Sequence, residues 1–245
     1  MADRREFKLP TRFGKRKPGA APGVKPEELK AVMPAPSNVK VTVIDYSPDK
    51  VEMHGVLDME AFLAGHRSQG TLVRWIDVAG LTDLKAVGLL ASKYQLHPLA
   101  VEDLLNTATR PKVDAYTGGE PGLAARLFIV TRMLELKDER LESEQISIFL
   151  GHNTVLTFQE SPGDIWDPIR QRINSKGSRL RTGDSSFLVY SLLDAIVDHV
   201  FPILERYGDR LESLENTVMI GRQPEVLREI HRLKRELLLL RRALW

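Results

Sequence analysis

Carboxylates carry the clearest chemical signal in this 245-residue chain. Asp194, Asp198, Glu205, Asp209 and Glu212 recur at spacings of four, seven, four and three. On a helix, at about 100° per residue, all five fall within about 60° of one another. Like charges one turn apart repel by about 0.2–0.5 kcal/mol per pair, so something cationic should offset them. One source is a later run of arginines, Arg228, Arg232, Arg235 and Arg242, forming ordinary exposed ion pairs with the distal acids Glu205, Asp209 and Glu212. The other is a hard divalent cation, which takes carboxylate oxygens and, for Mg²⁺, keeps several of its waters. Asp194 and Asp198 suit that second source. Glu102-Asp103 forms another acidic pair, but adjacent side chains on a helix diverge by about 100° and do not chelate one ion face-on. Catalysis has no comparable residue set. Walker-type and Gly-x-Gly-x-x-Gly loops, Gly-x-Ser-x-Gly and His-Glu-x-x-His are all missing. The six histidines lack zinc-ligand spacing; His97 reads as a helix start, and His199 adjoins the acidic pair.

These residues need elements to hold them. Val39–Tyr46 alternates as a half-buried strand, Ser47–Lys50 is a turn, and Val51–Leu57 pairs back. Asp58–Gly65 has an Asp cap and a Gly stop around a short helix. Leu72–Val78 is a strand and Thr82–Tyr94 a helix; a second helix starts at His97-Pro98 and runs to Asn106. Strands follow at Ala125–Leu136, Ser143–Leu150 and Thr154–Gln159, then a short amphipathic helix over Asp164–Ser175. Strands that first alternate with helices and then run antiparallel predict an α/β (α+β) fold, a mixed sheet with helices on its faces. Beyond Asp184 the pattern is helical: about 35 residues over Ser185–Met219, kinked at Pro202, a turn at Gly221–Pro224, then a returning helix to Trp245. Val226, Ile230, Leu233, Leu237, Leu240 and Leu244 form a heptad seam on that helix. Its pattern breaks off at Trp245 without a Gly or Asn stop, which reads as the front part of a longer protein.

Three domains are expected: a basic, Pro/Gly-rich disordered arm over 1–38, a mixed α/β body over 39–183, and a long helical hairpin over 184–245. The net charge of +2 hides an asymmetry, because residues 1–25 hold eight Lys or Arg and two acids. The arm reads as a solubilising tail or as one drawn to anionic lipid headgroups. An acidic body without interleaved aromatics argues against nucleic acid. Zero cysteines excludes disulfides and thiolate metal sites. No secretory signal is visible, and the nearest membrane-span candidate, Phe187–Val197, is short and carries Asp194.

Six blocks, in order, resemble the CorA family of magnesium and cobalt transporters: His97–Asn106 with Arg110-Pro-Lys-Val113, Glu142–Leu150, Phe158-Gln-Glu160, Gly163–Arg170, Tyr190–Asp198 and His231–Arg242. They cover about residues 72–245; the arm lies outside the resemblance, and the Gly119–Gly122 loop is longer than the family's usual connection there. The resemblance implies the cytoplasmic regulatory domain of a homopentameric channel in a cell membrane, not an enzyme. It implies a stalk helix, membrane helices and a Gly-Met-Asn signature beyond Trp245. It also implies Mg²⁺ (Co²⁺ possible) sensed between subunits, with Asp103 matching the sensing acid, Glu102 its neighbour, and Asp194 and Asp198 nearby acids of the long helix. The alternatives are the zinc-transporting branch of the same superfamily and a free-standing scaffold or metal-dependent enzyme. As a fragment, a monomer or weak oligomer is expected.

Overall fold

The computed structural model describes residues 22–30, 39–119, 123–161, 163, 165–220 and 224–244. Most of the basic arm, the tip of the Gly119–Gly122 loop, Asp164, the 221–223 turn and Trp245 lie outside the described residues. Seven strands form one sheet: β1 Lys40–Tyr46, β2 Val51–Val56, β3 Val73–Ala79, β4 Lys112–Tyr116, β5 Arg126–Lys137, β6 Arg140–Leu150 and β7 Thr154–Gln159. Their order is β2-β1-β3-β7-β6-β5-β4. Among the described residues only β3 and β7 run parallel; every other neighbouring pair is antiparallel. The mixed sheet with flanking helices is the expected fold class.

Period-two alternation sends side chains to two cores, because helices cover both faces. On one face Val43, Ile76, Val78, Phe149 and Phe158 meet helices α1 Pro26–Lys30, α3 Leu84–Lys93 and α4 Pro98–Leu105. On the other, Ile44, Trp75, Ile146, Ile148 and Val155 meet α5 Asp167–Asn174, the short α6 Arg179–Thr182, and α7 Ser185–Asp198. The small helix α2, Met59–Ala64, carries its expected cap: Asp58 accepts from the amides of Glu60 and Ala61. A third cluster joins the β5–β6 tip (Leu134, Leu141) to the hairpin of α8 Val200–Ile220 and α9 Pro224–Leu244.

Four differences from the sequence reading have physical causes. Residues 22–30, assigned to a disordered arm, include the helix Pro26–Lys30 and bury Val24, ahead of it, and Leu29, within it, in the first core; two apolar anchors outweigh the surrounding Pro/Gly composition. The 35-residue helix is interrupted at His199 between α7 and α8. Pro202 has no N–H for the Asp198 carbonyl and its ring crowds that carbonyl, so the break comes one turn upstream. Of the six seam positions two are buried, Leu233 and Leu240, together with Glu236 and Ala243. Ile230 and Leu237 instead line an open groove with Leu211 and Leu214. Finally, Ser185–Met219 is long and apolar enough, by length and composition, to cross a bilayer, although Phe187–Val197 alone was not. Much of that character serves the core, where Leu188, Val189, Leu192 and Ile196 pack on the sheet.

Candidate metal centre

Helix α4 is built to show two acids to the outside. His97 caps it, Nδ1 accepting from the Leu99 amide at 3.2 Å, and Pro98 sits in its first turn. Ala100, Val101, Leu104 and Leu105 are buried against the sheet, which leaves Leu99, Glu102 and Asp103 on the opposite side at helical spacing. The helix's last carbonyls do not go unsatisfied. Buried Gln145 of β6 donates Nε2 to Asp103 O and Leu104 O, both at 3.1 Å, and so fixes the acidic turn to the sheet.

The two acids have different occupations. Glu102 Oε2 accepts from the Gly23 amide at 2.5 Å, beside a second tether in which Val24 N donates to Pro98 O at 3.0 Å. Gly23 is required at that approach, because its φ is +88° and a Cβ would stand 2.9 Å from Pro98 Cβ. Glu102 therefore holds the N-terminal segment through one of its two carboxylate oxygens. Replacing Glu102 with Ala should cost about 1–2 kcal/mol locally and raise amide exchange at Gly23–Leu29 roughly tenfold; exchange unchanged there means Val24 and Leu29 anchor the segment alone.

Asp103 faces a small open cleft of ≈ 420 Å³ lined by Leu99, Glu102, Asp103, Lys112, Asp114, Ala115 and Tyr116. Lys112 Nζ lies 2.6 Å from Asp103 Oδ2 and 2.6 Å from Asp114 Oδ2. Strand β4 delivers this pair: Lys112, Asp114 and Tyr116 share one face at period two, and Tyr116 stacks on His97 with centroids 4.4 Å apart. Partial burial works against the Lys112 ammonium, but its bonds to Asp103 and Asp114 prevail and raise its pKa. Burial, then the Asp114 charge, pushes the Tyr116 phenol up. Two carboxylates already gather on one cation here, so the donor chemistry fits a hard divalent ion. Among the described residues no group of three or more His, Asp or Glu is placed to hold a metal.

Asp194 and Asp198 do not join that cleft. Both are exposed on α7, which packs on the opposite sheet face from α4; one subunit cannot bring them to the same ion as Asp103. His199 Nδ1 is engaged with Ala195 O at 2.7 Å. Glu205, Asp209 and Glu212 are exposed on α8. The expected pairing of those acids with α9 arginines is corrected: among the described residues, ion pairs across the hairpin run from Arg210 of α8 to Glu229 and Glu236 of α9. Arg232 turns instead to Glu229 and Glu236 on its own helix. Lys112 and Asp114 escaped the sequence reading because β4 inverts the usual alternation. Its inward positions are charged, whereas Val113 is 62% exposed. The signal available was the Lys-x-Asp-x-Tyr spacing itself.

Known proteins match this architecture. Residues 71–245 match the family described as CorA-like Mg2+ transporter protein. The chain is 34% identical over 208 residues to the cobalt/magnesium transport protein CorA of Thermotoga maritima, covering 84% of this chain and 57% of that protein. The soluble domain of CorA from Methanocaldococcus jannaschii shares the fold with a TM-score of 0.61 at 20% identity, over 86% of this chain and 76% of that one. The ZntB cytoplasmic domain from Vibrio parahaemolyticus shares it more distantly, with a TM-score of 0.53 at 14% identity over 84% and 75% of the two chains. The chain spans about half the length of curated relatives it matches. With its seven-stranded sheet flanked by helices and a family match over residues 71–245, the chain belongs to the family of CorA-like Mg²⁺ transporter proteins.

Proposed function

We propose that this chain is the cytoplasmic, Mg²⁺-sensing portion of a magnesium and cobalt transporter of the CorA type, and that Asp103 is its leading regulatory ligand. The observation that carries the reading is the placement of Asp103: it faces an open cleft, already beside a cation, on a helix pinned by Gln145. In this reading water and an acid of a second subunit complete the ion's shell, because the described residues of one chain supply no third donor. The subunits form a homopentamer whose pore belongs to the further length that the relatives possess. Bound Mg²⁺ bridges facing acids and favours the closed ring; when the ion leaves, repulsion between the acids favours conduction. The chain performs no covalent chemistry, and the 34% identity to a cobalt/magnesium transport protein favours these ions over zinc. The likeness to ZntB supports a common fold alone. The intact protein tests the assignment: millimolar Mg²⁺ should protect it from protease, and Asp103→Ala should abolish that protection. Protection unchanged in the variant removes Asp103 from the sensor.

A further inference from the structure

The Lys112 ammonium lies between two carboxylates, those of Asp103 and Asp114. Its ammonium nitrogen stands 2.6 Å from a carboxylate oxygen of Asp103 and 2.6 Å from one of Asp114. No metal ion can coordinate Asp103 directly through that oxygen while the ammonium remains there, since a hard cation sits about 2.0–2.6 Å from its oxygens. The exchange is physically easy. The Lys112 side chain is 34% exposed, its four-carbon stem is flexible, and the cleft beside it is open to solvent. The lysine is also fixed in register, because β4 pairs Lys112 with Val130 and so holds it opposite α4.

We propose that Lys112 is a built-in competitor for the divalent cation at Asp103, setting the concentration at which the sensor fills. A tethered monovalent charge at contact distance neutralises the acid when free Mg²⁺ is scarce. A divalent ion that takes the same Asp103 oxygen must displace it, and Asp114 then keeps the released ammonium nearby. The competitor weakens ion binding and moves half-saturation to higher Mg²⁺. The inference rests on the reading of Asp103 as a ligand, and names the group on this chain that tunes it.

The test is a Mg²⁺ titration at constant ionic strength on four forms of the intact protein: unaltered, Lys112→Met, Lys112→Arg and Asp103→Asn, read by protease protection. Lys112→Met should lower half-saturating Mg²⁺ about threefold to tenfold, the range expected from removing one screened contact charge. Lys112→Arg keeps the charge and should stay within about twofold of the unaltered protein, which also separates competition from a fold defect. A Lys112→Met midpoint equal to or above the unaltered one, with Asp103→Asn abolishing the response, overturns the competitor and leaves the ligand assignment standing. A response that survives Asp103→Asn overturns both. Thermal unfolding of each variant without Mg²⁺ provides the fold control, and a Lys112→Met form that no longer unfolds cooperatively, while Lys112→Arg does, marks the lysine as structural and overturns the proposal.

Discussion

Replacing Arg170 with Met should destabilise the chain by about 3–5 kcal/mol at neutral pH, because it leaves a buried carboxylate without its counter-charge. Asp77 lies in the middle of β3, and its side chain is 2% exposed. Arg170 of α5 reaches it with Nη2 at 2.6 Å from Oδ2. Thr157 donates to Oδ1 at 2.7 Å, Gln159 Nε2 lies 3.1 Å from the same oxygen, and Trp75 Nε1 donates to Thr157 at 2.9 Å. The guanidinium also lies 5.8 Å from the Trp75 ring centroid. Breaking such a network from one side costs more than the net worth of the pair, since the remaining charge stays desolvated.

The pH dependence gives this prediction a second handle. Burial pushes Asp77 above the ordinary carboxylate value of 3.8, against the pull of Thr157, Arg170 and Gln159. A raised folded-state value means the associated stability is present below pH 3.8 and is lost as pH rises through the folded-state value. Removing Arg170 raises that value further, so the deficit of Arg170→Met should shrink as the solution is acidified. Urea unfolding of both proteins at a series of pH values measures the difference. A deficit under about 1 kcal/mol, or one that grows in acid, contradicts the assigned role.

The second large effect lies in the hairpin. Arg210→Met should open the α8–α9 contact by about 2–3 kcal/mol. Glu236 is nearly buried, its side chain 11% exposed. It receives Arg210 Nη1 at 2.9 Å, Tyr207 Oη at 3.0 Å and Arg232 Nε at 3.3 Å, and Arg210 also grips Glu229. Burial raises the Glu236 carboxyl, but the bonds from Arg210, Tyr207 and Arg232 overcome it and hold its pKa below 4.5. Burial and Glu236 together push Tyr207 up to about 12. A depressed carboxylate contributes stability that is present above pH 4.5 and fades as pH falls through its lowered folded-state value. Arg210→Met should therefore raise amide exchange along α9 at neutral pH and flatten its acid dependence below pH 4.5. Exchange on α9 equal to the unaltered chain would place the hairpin's cohesion in Leu233 and Leu240 alone.

How far the sequence reaches depends on which force places each residue. Apolar alternation and caps are local, so Thr154–Gln159 matched to the residue, and His97-Pro98 opened α4 as expected. Strand β4 was missed because its inward face is Lys112, Asp114 and Tyr116, stabilised by partners on another element. The β5–β6 hairpin was shortened in the reading because its turn, Asp138-Glu139, lacks glycine. Both residues adopt positive φ, 48° and 62°, a conformation usually left to Asn-Gly. Glu139 is gripped there by Arg206 and Arg232 of the helical hairpin, a long-range support no local pattern displays. The site divided in the same way. The outward positions of Glu102 and Asp103 follow from helical spacing. That Glu102 holds Gly23, and that Asp194 and Asp198 face away from the other side of the sheet, follow only from the tertiary fold.

Cytoplasmic Mg²⁺ titrated against the Mg²⁺ current of the intact protein, in membrane patches with their inner face exposed, tests the central claim most directly. Asp103 as the regulatory ligand predicts that Asp103→Asn raises the half-inhibiting Mg²⁺ concentration at least tenfold and leaves the maximal current similar. An inhibition curve that superposes on that of the unaltered protein contradicts it.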